Sequence, residues 1–465
     1  MLLRGLNRLG LTLRAHAAYG SEYKNLIKLG LPVMVTQIGV VVVSFADTIM
    51  VGRCGTPELG AAAFVNAIFM VAIVMQFGFS GGLTPIAGAL FSSGDSDGVG
   101  ATAKAGLIVN VAVSVAFTII LGIFYFFIGY LGQPAELLPL IRPYYLVMLC
   151  TLVPMAIFNS FQQISNGCTD TALPMWLVIG SNILNIFGNW VLIWGKFGFP
   201  ELGLLGAGIS TLCARVVGMS GMVAVFAWSR KRGCYREGWR KNHGVELRGR
   251  CSKVWKTSYP VMFQSGIECF MWSLGGVVSG WFGTIQLASY QVVNTIAQLG
   301  YMIYMGFGVA TSIRVANYIG IREYGNAGRI ATAGLHLILG LAVVACAVFV
   351  GLFRPLVEIF TPDMAVVAAT GPLLIPLVLY QFGDAVQITY VNAQRGTGRV
   401  KPLFRMAVLS YIVLGAPFML LLAVGFGLKN VGVYYSFTLA LMTMALTLAL
   451  YFRKTLRDMP AKGEK

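Results

Sequence analysis

Apolar residues run along this chain in twelve stretches long enough to cross a bilayer. They begin near Leu26, Gly60, Ala105, Tyr144, Pro174, Gly203, Ser258, Gln286, Gly328, Met364, Phe404 and Val431, with short polar breaks between them. About twenty apolar residues let a helix span the hydrocarbon core, and a backbone amide there must be paired within its own segment. The pattern therefore predicts an all-α integral membrane protein of twelve transmembrane helices. Of the 17 acidic residues, only Asp47, Glu268 and Asp384 fall inside these stretches. A carboxylate at mid-bilayer costs roughly 2.5–3.5 kcal/mol, so three together forfeit on the order of 8–10 kcal/mol unless each faces water, an ion or a partner. Such a cost points to a transport pathway.

The pattern also repeats. Shifted on itself by 228 positions without a gap, the chain superposes Pro32-Val33-Met34 on Pro260-Val261-Met262, Gly52 on Gly280, Gly55-Thr56 on Gly283-Thr284, Asn66 on Asn294, and Gly78-Phe79 on Gly306-Phe307. At a shift of 229, Phe197-Gly198 and Gly203 meet Phe426-Gly427 and Gly432. Six spans per half is an even number, so both halves enter the membrane from the same side. This predicts two six-helix bundles related by a parallel pseudo-twofold repeat. Two like bundles that can rock about a central cleft suit an alternating-access carrier better than a pore. The acids break the symmetry: Asp47 falls opposite Gly275, and Glu268 falls opposite Val40.

Composition agrees with the pattern. Hydrophobic residues make up 57% of the 465 and charged residues 11%, with a mean hydropathy of +0.76. The net charge of +17 could suggest a nucleic-acid partner, but the placement of the basic residues decides otherwise. With the amino terminus in the cytoplasm, 28 of the 34 Lys and Arg fall on cytoplasmic segments and five on external loops, leaving Arg215 as the one arginine inside a span. That is the positive-inside signature, and it predicts a multi-pass protein of a bacterial inner membrane with both termini cytoplasmic. Ten basic residues lie between Arg230 and Lys256, and anionic lipid headgroups are their expected neighbours.

The expected organisation is a cytoplasmic tail over 1–22, an amino-terminal lobe over 23–228, a basic linker over 229–256, a carboxy-terminal lobe over 257–454 and a tail over 455–465. Arg4, Arg8 and Arg14 among leucines fit either a flexible basic tail or an in-plane amphipathic helix. The eight cysteines contain no CxxC pair, so neither a disulfide framework nor a zinc site is expected. No cleavable signal peptide is evident.

Several segments together resemble one family, the multidrug and toxic compound extrusion (MATE) transporters, and within it the NorM branch. They are SFADTIMVG (Ser44–Gly52), NILNIFGNWVLIWGKFGFPELG (Asn182–Gly203), Glu268 in the seventh span, ASYQVVNTI and ATSIRVANYIG in the eighth, and LYQFGDAVQ around Tyr380 and Asp384. The resemblance implies a secondary antiporter that expels cationic, amphipathic compounds in exchange for Na+ or H+, with no cofactor. It also implies a cation (Na+) site of Glu268, Tyr380 and Asp384, and an amino-terminal site marked by Asp47 and Asn185. The chain departs from some relatives in having Asn189 where they carry an acid, and in reading TPIAGALFSSGD where they have a glutamine near Gly88.

Tyr380 and Asp384 are four apart and so share a helix face, and a site of carboxylates and a tyrosyl oxygen suits hard cations. Candidate cargo contacts are Asp47, Asn189, Gln291, Asn294 and Trp272. For Asn66, Asn182, Asn189, Gln291 and Asn294, hydrogen bonding between helices is an equal alternative. Arg215 could snorkel, neutralise a carboxylate or touch cargo, and His336 is expected to pack among its neighbours. The partners expected are small organic cations and membrane lipids, without nucleic acid, for a monomer. A flippase for lipids or lipid-linked sugars is the competing class. An anionic headgroup would, however, call for more arginine or lysine within the spans than this chain has. An intramembrane enzyme is disfavoured because HExxH and Walker A motifs are missing.

Overall fold

The computed structural model describes residues 2–130, 132, 134–229, 232–241 and 243–459, and among these it contains helices and no β-strand. Twelve helices are long and apolar enough to span a membrane. They are α1 (Leu2–Gly52), α2 (Thr56–Ser92), α3 (Ser96–Tyr130), α4 (Leu138–Gly167), α5 (Ala172–Ile193), α6 (Gly203–Trp228), α7 (Gly244–Gly280), α8 (Thr284–Gly320), α9 (Tyr324–Phe360), α10 (Met364–Gly396), α11 (Lys401–Gly425) and α12 (Lys429–Arg457). Each predicted stretch lies in one of them. On α3, Ile119, Ile120, Ile123 and Phe126 are more than half exposed. Such a face would be a liability in water and is the natural surface toward lipid. The amino-terminal stretch is helical from Leu2 and runs into the first span without a break.

The repeat shows in the helix boundaries. α1 and α7 end at Gly52 and Gly280, α2 and α8 start at Thr56 and Thr284, and α3 and α9 start at Ser96 and Tyr324, each pair 228 residues apart.

Packing divides the chain into two compact units at points that no loop marks. The first unit is Val35–Gly266; the second joins the residues up to Met34 with those from Ile267 onward. Each cut falls inside a helix, so the first half of α1 packs with the second repeat and the first half of α7 with the first. Leu26 and Leu29 of α1 are buried among Ala310, Ile313 and Ile330 in the second unit. Val254 of α7 is buried among Leu83, Phe161 and Met222 in the first.

Glycine makes the close approach possible. A Cβ at Gly78 would lie 2.6 Å from Ser265 Oγ and 3.1 Å from the Val261 carbonyl, and one at the equivalent Gly306 would lie 2.7 Å from Met34 Cα. A larger residue would push the exchanged half-helix away. A polar clasp adds to this in the second unit. Arg314 Nη2 donates to Glu22 Oε2 at 3.1 Å, Tyr318 donates its hydroxyl to Glu22 Oε1, and the guanidinium lies 4.9 Å from the Tyr318 ring centroid. His336 is exposed rather than packed, and its Nδ1 lies 3.0 Å from the Tyr23 hydroxyl.

The basic segment expected as a linker is folded. Gly233–Lys241 forms a helix that docks on the start of α3, where a Cβ at Gly238 would stand 2.0 Å from the Asp97 carbonyl oxygen. Arg232 pairs with Asp170 at 2.9 Å, Arg236 donates to the Ser229 carbonyl at 2.8 Å, and the Trp239 ring stacks on Phe161. Part of the positive charge assigned to lipid headgroups is thus spent within the protein.

Candidate functional site

The three acids inside the spans sit in two polar sites, one in each unit. In the second unit, α10 presents Tyr380, Asp384 and Gln387 along one face, as spacings of four and three residues dictate. All three are at most 2% exposed. Glu268 enters from α7, where its Oε1 accepts from Gln387 Nε2 at 3.4 Å and from the Tyr411 hydroxyl at 3.4 Å. Asp384 lies within electrostatic reach of Glu268. The expected trio of Glu268, Tyr380 and Asp384 therefore shares one site.

Aromatic rings wall this site on one side. Trp272, one turn beyond Glu268, meets Tyr380 edge-on at 5.3 Å between centroids and Phe437 at 4.6 Å.

The hydrogen bonding around Asp384 is incomplete. Asp384 Oδ2, Gln387 Oε1, Gln381 Oε1, and the hydroxyls of Tyr304 and Tyr434 are buried with no hydrogen-bond partner. Tyr304 senses the Asp384 charge, and Tyr434 packs edge-on to Tyr380 at 6.4 Å. Buried oxygens are seldom left unpaired, because each costs about 1–3 kcal/mol. Asp384 Oδ2 and Gln387 Oε1, one turn apart on α10, with the Tyr304 hydroxyl in electrostatic reach, offer the oxygens a hard cation needs.

The first unit builds its site differently. Asp47 on α1 is half-buried and is held by two amides of α5. Asn189 Nδ2 donates to Asp47 Oδ1 at 2.5 Å. Asn185, with its amide oriented to donate, places its nitrogen 2.9 Å from the same oxygen. Asn185 and Asn189 are four apart, so one face of α5 grips the carboxylate. Arg215 of α6 lies within electrostatic reach of Asp47 and Tyr144, and its Nη1 donates to Thr151 Oγ1 at 2.6 Å. Tyr144 in turn donates to Asn66 Oδ1 at 3.5 Å.

Two expected cargo residues join neither focus by a hydrogen bond. Gln291 is exposed and Asn294 half-buried on α8. They stand seven or more residues before Tyr301, the α8 residue that senses Glu268 and Asp384, which is about 10 Å along a helix.

Other residues were missed. Gln387 could have been found, since it lies three residues after Asp384 on the same face. Tyr411 could not, because it lies in a stretch of wider π-helical turns, Val408–Gly415, where the ordinary spacing rules fail. Arg215 is also not the only arginine within a span. Arg314 pairs with Glu22, and the half-buried Arg395 senses Glu268. The count of basic residues puts both on cytoplasmic segments, whereas the helices run beyond their apolar stretches and include them.

The duplicated helices, their lipid-suited faces and the polar foci they enclose define a multi-pass membrane protein built from two copies of one six-span repeat. The chain belongs to the MatE family, whose model matches it twice, over residues 32–191 and 260–421, the two matches beginning 228 residues apart. Among relatives, it is 27% identical over 404 residues to the multidrug resistance protein NorM of Vibrio cholerae, covering 86% of this chain and 87% of that protein. It is 24% identical over 442 residues to a probable multidrug resistance protein NorM of Photorhabdus laumondii, covering 94% and 97%. Among solved structures, the eukaryotic MATE transporter AtDTX14 superposes with a TM-score of 0.85 at 19% identity, covering 95% of this chain and 98% of that one. At that identity the likeness speaks for the fold.

Proposed function

We propose that this protein is a secondary antiporter that exports amphipathic organic compounds across a bacterial inner membrane in exchange for Na+ or H+. It is a transporter and not an enzyme. The observation that supports the coupling is the partnerless buried oxygen of Asp384, with that of Gln387 one turn on and Glu268 in electrostatic reach. One cation fills such a site at a time, so a proton on a carboxyl group and a sodium ion among the oxygens compete for it. Glu268, Tyr380 and Asp384 are its principal ligands, and Gln387 and Tyr411 orient Glu268. Asp47 with its two asparagines serves the cargo, and both termini face the cytoplasm, where the positive-inside rule puts most of the basic residues.

The stoichiometry decides the driving force. One proton exchanged for one monovalent cargo cation moves no net charge, so the pH difference alone drives it, by about 1.4 kcal/mol per pH unit. A second coupling cation adds about 2.3 kcal/mol per 100 mV of membrane potential.

The test is efflux of a fluorescent organic cation from proteoliposomes under imposed sodium or proton gradients, comparing wild type with Asp384→Asn and Glu268→Gln. Gradient-driven efflux is expected in the wild type and loss of it in both variants. Undiminished efflux in both would rule out this site as the coupling site.

A further inference from the structure

Arg215 stands near the middle of α6, twelve residues from Gly203 and thirteen from Trp228. An arginine at that depth is costly and is kept for a reason. Neutralising Asp47 does not account for its placement. Among the described residues the two form no ion pair within 4.0 Å, and the Asp47 oxygen that accepts is already served by two amides. The guanidinium is held instead by Thr151, through Nη1. The guanidinium makes no second hydrogen bond among the described residues, and Arg215 is half-buried rather than sealed. The first unit therefore offers a fixed cation and a fixed anion, near one another but not in contact, both on half-buried residues.

We infer that Arg215 is a cargo-binding residue. It takes a carboxylate or similar oxyanion of the cargo while Asp47 takes the cargo's ammonium, so amphiphiles carrying both charges are favoured over singly charged cations. A guanidinium suits this role because its planar fork meets a carboxylate through two parallel hydrogen bonds, which lysine cannot reproduce. The inference rests on the exporter reading above and has an energetic corollary. A zwitterion carries no net charge, so every coupling cation that enters moves charge, and export gains about fiftyfold per 100 mV even at one-to-one exchange.

The experiment uses a matched pair of rhodamines, an ethyl ester that is a permanent cation and the same dye as its free acid, which is zwitterionic. Initial efflux of each is measured from proteoliposomes holding wild type, Arg215→Gln, Arg215→Lys or Thr151→Val. Wild type should move both, and the acid-to-ester ratio should fall about tenfold in Arg215→Gln, by less in Arg215→Lys, and least in Thr151→Val, which keeps the guanidinium but frees its anchor. Arg215→Lys retains the charge and so guards against a glutamine variant that fails to fold. A wild-type ratio in Arg215→Lys together with an equal or unmeasurable ratio in Arg215→Gln would overturn the inference. So would equal losses of both dyes in the variants, or a wild type that moves only the ester. A wild type that moves neither dye under either gradient would defeat the exporter reading itself.

Discussion

The two polar foci occupy corresponding halves of a duplicated chain yet solve opposite problems. In the second unit Asp384 is 1% exposed, lies in reach of a second acid, and has an oxygen that lacks a partner. In the first unit Asp47 is half-buried, held by Asn185 and Asn189, with Arg215 in electrostatic reach. The second site sets two acids against Arg395, and the first sets one acid against one arginine. The repeat supplies the same helices twice, and the two sites differ by a handful of polar residues on them. A site short of a cation can be filled and emptied by one, whereas a site already balanced can select cargo by its charge pattern.

The largest test of this contrast is functional. Asp384→Asn should lower gradient-driven efflux by about a hundredfold or more, while Asp47→Asn should lower it by about tenfold, because it weakens cargo binding and leaves the coupling site intact. Equal losses, measured as initial rates in proteoliposomes, would erase the distinction. Removing one loose hydrogen bond to the coupling acid should matter less. Gln387→Ala and Tyr411→Phe should each weaken the apparent affinity for sodium by about three- to tenfold, read as the sodium concentration that half-saturates efflux, with the affinity for cargo held within twofold.

Stability should separate the sites in the other direction. Asp384→Asn relieves a buried oxygen that has no partner and should raise the melting temperature in detergent by about 2 °C. Asp47→Asn breaks up a satisfied pair of hydrogen bonds and should leave the melting temperature unchanged or lower it.

The smallest effect concerns the linker helix, which lies in the first unit. Burial pushes the Cys168 thiol from its ordinary 9.0 up to about 11, with the Tyr235 hydrogen bond pulling the other way. The folded chain therefore keeps this thiol neutral where the unfolded chain ionises it, and that stabilisation is full below pH 9.0 and is lost as the pH rises through about 11. Maleimide should label the exposed Cys234 about tenfold faster than Cys168 at mildly alkaline pH. Gly238→Val, which lifts the linker helix off α3, should narrow the gap.

Much of this was legible in the sequence, for identifiable reasons. Acids inside apolar stretches announce themselves by cost, which is why Glu268, Asp384 and Asp47 stood out, and a spacing of four placed Tyr380 beside Asp384. Self-similarity at 228 positions matches the ends of α1 and α7 and the starts of α2 and α8 and of α3 and α9. What stayed hidden depended on contacts between elements far apart in sequence. Thr151 as the anchor of Arg215, Tyr411 reaching Glu268 from a π-helical turn, and the docking of the basic segment on α3 leave no periodic trace. The exchange of half-helices was invisible for a related reason. A repeat shows which residues are equivalent, but not which copy each packs against.

That exchange also sets an order of events in synthesis. Glu22, Leu26 and Leu29 are made well before their partners Arg314, Ala310 and Ile313, which follow almost three hundred positions later, Glu22 and Arg314 being 292 apart. At about 5–20 residues per second the start of α1 waits some tens of seconds for them, whereas the first unit is complete in sequence once α7 has emerged. The start of α1 leaves the ribosome long before its permanent neighbours exist.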